Sequence, residues 1–529
     1  MNIKVLYDND NGVSFKDYLR KLGVVNPDEY LKLNTIEDDL NYDNIELAVE
    51  TLYQYKTREI TILADTDGDG YTSASMLYSF LTELGYKCNY ILHDKNPKSH
   101  GLDDSQVLNI LKSKEPSLLI VPDAGTSDEN PCKKLRELGW EIIILDHHKP
   151  LNENNYAIIV NNQMSEMVVN KSASGCLVTW HFMHLIDADV SNKFISYVAI
   201  SIISDSMSFL TNENITFIYH GLKNMHPNIK RLIDSVQGDY KPVSFSFGGF
   251  NPKCNSTIRL GTIEDKKSLF ELMCGLNDNV DEVSKIIKHY HSQQNVDANN
   301  LIENNITILN ENSNVLLCKL DCKTPLTGLV ANKLMGKTGK SVLIVHDRED
   351  GNSEGSARSP INLREILNNS GLFNYNSGHD HSFGTSYKTE DEAKLLEYFD
   401  NYDFPSPCYT VFSDTWNVKD IDQFGDLSML WGNDLIDPLY YQKLVINTQN
   451  IDVIGESQTT IRFKNNDNVT FIKFYCTHEW IDNLKSHDKV VIEVIGRGKW
   501  NEWRGNKYPQ FIIDRMEYRE PTFEDLFLN

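Results

Sequence analysis

Asp65-Thr66-Asp67-Gly68-Asp69-Gly70 places aspartates at three alternate positions. Hard divalent cations take oxygen ligands, and glycines in such a loop let neighbouring carboxylates turn toward one point. A calcium loop of the D-x-D-x-D-G kind is the rival reading. It needs a glutamate at its twelfth position, which is Met76 here, and a helix before it, where this chain has the β-rich run Glu59–Ala64. Asp146-His147-His148 adds two imidazoles to a carboxylate, a donor set that suits manganese or a similar first-row ion better than calcium. Alone, either segment reads equally as a solvated polar turn. Two further acids, Asp123 and Asp205, end the apolar runs Val121-Pro122 and Ile202-Ile203-Ser204 at places where the chain should reverse.

These side chains need a frame. Residues 59–64, 117–122 and 141–145 are short, continuous apolar runs, 88–92 is a further strand candidate, and 72–84 has helical spacing. Continuous apolar strands between helices indicate a parallel sheet covered on both faces. Ligands of such sheets sit at the carboxyl ends of the strands. Three of the strands run directly into Asp65, Asp123 and Asp146, so the spacing predicts carboxylates converging on one sheet edge. The run 195–203 reads as a buried helix and 278–305 as an interdomain helix. A second α/β unit follows, with strands at 315–319 and 341–345 around a helix at 326–335. After Pro405-Ser406-Pro407 short alternating strands predict a small all-β barrel or sandwich.

The expected fold is therefore α/β: a parallel-sheet domain (58–277) after an N-terminal segment packing on it (1–57), a connecting helix (278–305), a second α/β domain (306–404), a C-terminal all-β domain (405–519) and an acidic tail (520–529). A chain of 529 residues needs several such cores.

The net charge of −24 argues against a nucleic-acid partner unless a local basic groove exists. Residues 496–508 supply one candidate: Arg497, Lys499, Arg504 and Lys507 interleave with Trp500, Trp503 and Tyr508. Cations track phosphates and rings stack bases, although Trp at strand ends also closes barrels. The nine cysteines include no CxxC pair and read as reduced, buried thiols. No run approaches the roughly 20 apolar residues of a membrane helix, and the start lacks a signal-peptide pattern, so a cytoplasmic protein is expected.

The order DxDxDG, Asp, DHH, Asp resembles the DHH phosphoesterases, and among them the RecJ-like single-strand exonucleases, over roughly residues 55–515. The resemblance implies two divalent ions, manganese or magnesium. Asp65 and Asp67 would bind one and Asp69 the other, with Asp123 bridging and His147 and Asp205 completing the second. His148 would contact the scissile phosphate, and Asp146 would orient the histidines. Asn255 and Arg259 loosely match a phosphate-contacting segment of the family. Gly355-Ser356-Ala357-Arg358-Ser359 matches its GSaRS segment, implying that Ser356 and Arg358 grip a terminal 5′-phosphate. Gly378 and His379 stand in its GGHxxAAG segment, and Gly328 in a GxxA helix start. Lys98 stands where arginine is expected. The C-terminal domain would be OB-like and bind single-stranded DNA.

The departures at 95–102, 256–258 and 377–383 mark a divergent member, consistent with a phage or mobile-element source. The implied function is a monomeric 5′-to-3′ single-stranded-DNA exonuclease of DNA repair or recombination. Two alternatives are a DHH phosphodiesterase of short oligonucleotides or cyclic dinucleotides, and an inactive RecJ-like replication scaffold. The acidic tail reads equally as a docking peptide for a single-strand-binding or replication protein and as a solubiliser.

Overall fold

The computed structural model describes residues 2–7, 15–33, 40–94, 101–102, 104–246, 248–310, 314–406, 408–422 and 429–525. The described residues form three sheets. In the first, all strands are parallel, in the order Lys87–Leu92, Glu59–Ala64, Leu118–Pro122, Glu141–Asp146, Ile158–Asn161. Alternate side chains feed two cores. Ile60, Ile62 and Ala64 face one side; Leu63, Leu119, Val121 and Ile144 face the other. Burial on both faces explains why these strands carry no polar alternation. The earliest strand lies between the second and third, so chain connections leave it in opposite directions and a crevice opens at its carboxyl end. Asp65 and Asp123 follow the two strands that flank that crevice.

The helix after Asp65 runs Gly68–Glu83 and so starts before the apolar spacing begins at 72. Asp67 caps it, accepting a hydrogen bond from the Gly70 amide at 3.1 Å. Gly70 must be glycine: a Cβ there would lie 2.7 Å from the backbone of Asp65. Helices Gly175–Ile186 and Ile195–Ser204 pack on this one and are almost wholly buried.

Helix Val280–Asn304 leads to the second, mixed sheet, ordered Tyr375–His379, Ser382–Lys388, Asn352–Arg358, Ser341–Asp347, Val315–Leu320, Ile306–Ile308. Helix Thr327–Thr338 covers one face of it through Val330, Ala331 and Leu334.

The third sheet has eight strands, and its first member comes from the chain start. Ile3–Tyr7 pairs in parallel with Tyr409–Ser413. The N-terminal segment therefore does not simply pack on the first domain. Ile45–Gln54 does so, with Ile45, Ala48 and Leu52 in its core, but Ile3–Tyr7 joins the C-terminal sheet. A five-residue strand cannot declare its partner locally, since pairing is a long-range choice. The short strands expected near 489–494 and 510–514 are the buried parts of two long ones, Lys489–Trp503 and Asn506–Arg519. Their outer halves project from the core, so apolar patterning stops before pairing does. Arg504 and Gly505, at φ +50° and +78°, make the two-residue turn between them.

Six cysteines are buried and Cys88 is partly so, whereas Cys322 and Cys408 are exposed, against the expectation of buried thiols throughout; all nine are free. No helix among the described residues is long and apolar enough to cross a membrane.

Candidate metal centre

The carboxyl edge of the parallel sheet gathers the acids as the spacing predicts. Side-chain oxygens of Asp65, Asp67 and Asp123 lie within 4.8 Å of one another, as do ligand atoms of Asp69, His147 and Asp205. His147 Nε2 is 3.3 Å from Asp123 Oδ1, 3.3 Å from Asp205 Oδ2 and 3.9 Å from Asp69 Oδ2. Asp123 links the groups. Its backbone is left-handed at φ +66°, held by its amide donating to Leu145 O, and this turns the side chain into the crevice.

The donor set fits divalent cations. Asp123 Oδ1 and His147 Nε2 are buried without a hydrogen-bond partner, an arrangement that is unfavourable unless something else satisfies them. Burial, together with the charges of Asp69, Asp67, Asp205 and Asp65, pushes the Asp123 carboxyl well above the usual carboxylate range. A cation would remove that repulsion. Burial also lowers His147, which favours the neutral imidazole a metal requires.

Asp69 stands in the group implied for it, its ligand atom within 4.8 Å of those of His147 and Asp205. Its Oδ1 accepts from Cys176 N, Ser73 Oγ and Ser201 Oγ at 2.5–3.0 Å, and its Oδ2 accepts from Gly175 N at 2.8 Å. Asp69 thus anchors the positive end of helix Gly175–Ile186 under the site, and it is the most distant of the three acids from His147. Gly175 is required at that helix start, because a Cβ would strike the Asp123 carboxylate. Ser73, Ser201 and Gly175 carried no motif signal; only the fold brings them to Asp69.

Asp146 is buried and bonds to its own motif. Its Oδ1 accepts from the His147 and His148 amides and lies 2.8 Å from His148 Nδ1, while Oδ2 accepts from Thr126 N. Burial opposes its charge, but the His148 hydrogen bond and the nearby imidazoles hold the carboxyl well below its usual range. The same bond raises His148 to about 9. The His148 ring is 60% exposed, so a cationic imidazole faces solvent beside the carboxylate cluster. Asn161, unnoticed in the sequence, braces the turn by donating to Thr126 Oγ1 and His148 O, both at 2.9 Å.

Beside Asp205 a cleft of about 410 Å³ runs from Ser204 and Ser206 to the second sheet. It brings together Asn255, Arg259, Ser356 and Arg358, four residues drawn from distant parts of the chain. Ser356 Oγ lies 2.9 Å from Thr327 Oγ1. Gly328 leaves room for the Arg358 guanidinium, which would lie 2.6 Å from a Cβ there. Burial, with Arg259 nearby, lowers the Arg358 pKa. Asn251 also lines this cleft and had no sequence signal.

Gly378 lies in strand Tyr375–His379 at φ +131°, where a side chain would be strained and would approach Ser382 O. His379 ends the same strand. Lys98 falls outside the described residues. In the C-terminal hairpin, Trp503 is 61% exposed and Arg504 stacks over its ring. Lys499 and Trp500 line a cleft of about 570 Å³ with Trp416, Trp431 and Lys241, and Trp500 Nε1 donates to Asp422. Two cations of the groove are already paired: Lys507 meets Glu502 at 3.2 Å, and Arg497 is held twice. It is ion-paired with Asp437, at 3.2 Å, and with Asp514, so it braces the sheet instead of offering a free cation. Of the tail, Asp525 is buried and tied to Lys443 and Arg519.

Residues 59–202 match the family model described as the DHH family, N-terminal domain. The chain is 27% identical, over 98% of both chains, to a Bacillus subtilis (strain 168) protein named "Putative SPbeta prophage-derived single-strand DNA-specific exonuclease YorK". It is 25% identical to the single-stranded-DNA-specific exonuclease RecJ of the same organism, over 92% of this chain and 64% of that one. Against the crystal structure of RecJ in complex with Mn2+ from Thermus thermophilus it aligns with a TM-score of 0.73 at 18% identity, covering 99% of this chain and 79% of that one. With the motif order, the parallel sheet and the carboxylate–histidine cluster in place, residues 59–202 match the DHH family's N-terminal domain, and the chain as a whole is similar to RecJ-like proteins.

Proposed function

We propose that this protein is a two-metal-dependent exonuclease that removes nucleotides from the 5′ end of single-stranded DNA, in DNA repair or recombination in the cytoplasm. The observation that carries the reading is the convergence of two sites: a carboxylate–histidine cluster that suits divalent ions, and a cleft beside it lined by Arg259, Ser356 and Arg358. Asp65, Asp67 and Asp123 would hold one ion, and Asp69, Asp123, His147 and Asp205 the other. When bound, the ions supply the Lewis acidity that activates water and stabilises the leaving oxygen. The chain's own groups do the rest. His148, cationic through its bond to Asp146, contacts the scissile phosphate. Ser356 and Arg358 hold the terminal 5′-phosphate so that the next phosphodiester lies at the ions. Trp500, Trp503 and Arg504 stack and steer the trailing strand. The domain limits read from the sequence serve this division of labour, apart from the first strand's place in the C-terminal sheet.

The deciding assay offers manganese or magnesium and a 5′-phosphorylated single strand labelled at either end, beside a duplex and a linear and a cyclic dinucleotide. Progressive loss from the 5′ end supports the reading. Cleavage confined to dinucleotides replaces it with a small-substrate phosphodiesterase, and no cleavage of any substrate by a metal-binding protein replaces it with a scaffold.

A further inference from the structure

The phosphate grip is not a closed end. Pro325 lines the cleft that holds Arg358 and also a second, adjoining cleft of about 470 Å³. Thr327, whose hydroxyl meets that of Ser356, lines this second cleft too. Its volume lies within the roughly 300–1,000 Å³ of pockets that bury small ligands. The buried face of the second cleft is built by His346 and Glu354, which sit opposite each other on neighbouring strands. His346 is 6% exposed, yet neither ring nitrogen has a hydrogen-bond partner among the described residues. Its Nε2 is 3.8 Å from Glu354 Oε1, while Glu354 Oε2 is engaged by Arg348. Buried polar atoms of a folded protein are rarely left unmet. Tyr375 forms another wall and is 46% exposed, with its ring available.

The chemistry selects the occupant. A further phosphate would meet the exposed Lys323 at the rim but would sit against the Glu354 carboxylate and leave the Tyr375 ring unused. A nucleoside uses all three groups: the ring stacks on a base, the imidazole offers a donor and an acceptor, and the carboxylate accepts from base N–H groups. We infer that the cleft lined by His346, Glu354 and Tyr375 is a nucleoside subsite, taking the nucleoside on the 5′ side of the phosphate held by Ser356 and Arg358. This rests on the exonuclease reading above. It implies that a strand ending in a 5′-hydroxyl seats its first nucleoside here and its first internucleotide phosphate in the grip. Water then attacks the second internucleotide phosphorus and the P–O3′ bond breaks. A dinucleotide leaves with the new 3′-hydroxyl, and the strand keeps a 5′-phosphate. A 5′-phosphorylated strand leaves the subsite empty and loses a mononucleotide.

The test compares the full-length protein with its Tyr375→Ala and His346→Gln variants on 3′-labelled and internally labelled strands that begin with a 5′-hydroxyl, a 5′-phosphate or a 5′-triphosphate, with circular dichroism confirming the fold of each. The expected result is a dinucleotide as the first product of the 5′-hydroxyl strand and a mononucleotide from the 5′-phosphate strand. In both variants kcat/KM for the hydroxyl strand relative to the phosphate strand should fall about tenfold, as loss of one base stack implies. A mononucleotide from both strands overturns the subsite, as does a ratio unmoved in the Tyr375→Ala variant, which alters only an exposed ring. Faster cleavage of the triphosphate strand, lost in His346→Gln, overturns it in favour of a second phosphate site. Failure of the wild type to cut any strand sinks the exonuclease reading instead, and is recognised as such.

Discussion

Replacing Asp123 with asparagine separates what the carboxylate does for the fold from what it does for the ions. Asparagine has the same shape and tolerates the left-handed backbone at φ +66°. In the metal-free protein the change removes one charge from a buried cluster in which Asp69, Asp67, Asp205 and Asp65 all oppose it. Thermal stability without metal should therefore hold or rise. The sign follows from linkage. Because the folded-state pKa of Asp123 is raised, its ionisation subtracts stability as pH climbs above the unfolded value of about 3.9. The variant's advantage should thus shrink as the pH falls toward that value, where a protonated Asp123 resembles asparagine.

With metal the order inverts. A ligand at a hundredfold excess over its Kd stabilises by about 2.7 kcal/mol, and each kcal/mol raises Tm by roughly 2–4 °C in a domain of about 150–250 residues. One manganese ion should then raise Tm by about 5–10 °C and two by about 10–20 °C. Because Asp123 is proposed to serve both ions, Asp123→Asn should lose most of that shift. Differential scanning calorimetry with and without manganese, from pH 5 to pH 8, measures both effects. A variant that keeps the full manganese shift, or that is markedly destabilised without metal, would refute the account of Asp123 as the shared ligand of a repulsive site.

Three further outcomes follow from the same geometry. Arg358→Ala removes the proposed charge-assisted contact to a phosphate, worth about 1.5–3 kcal/mol, so the preference for a 5′-phosphorylated over a 5′-hydroxyl strand should drop by about 10- to 150-fold in kcat/KM, with the manganese shift intact. Gly175→Ala drives a methyl group into the Asp123 carboxylate, so unlike Asp123→Asn it should lose about 1–3 kcal/mol of stability even without metal, read as a lower denaturant midpoint. Trp503→Ala with Arg504→Ala should weaken binding of a long single strand by about 5- to 150-fold in a fluorescence titration, whereas Arg497→Ala should lower stability by about 1 kcal/mol and leave that affinity within about twofold, because Arg497 already serves Asp437 and Asp514.

Much of the metal centre is legible in one dimension because its residues follow strands. A run such as Glu59–Ala64 has to be buried on both faces, and the residue after it has to emerge at the carboxyl edge, so Asp65, Asp123 and Asp146 could be placed before any coordinates. Asp69 shows the limit. Its type and spacing match a ligand, but the donors that orient its carboxylate come from Ser73, Gly175, Cys176 and Ser201, which no local pattern marks. Arg497 shows the same limit for a cation, since its partners lie at Asp437 and Asp514.

The sequence by itself determined the parallel sheet, the cluster of oxygen and imidazole donors at its edge, and the order of the α/β, helical and all-β segments, because periodicity and strand-end position are local properties. Only the tertiary structure decided which donors orient each acid, that Ile3–Tyr7 completes the C-terminal sheet, and that Asn255, Arg259, Ser356 and Arg358 share one cleft with a further pocket behind it. Those outcomes depend on long-range pairing and on the competition of neighbours for each polar atom, which no window of sequence contains.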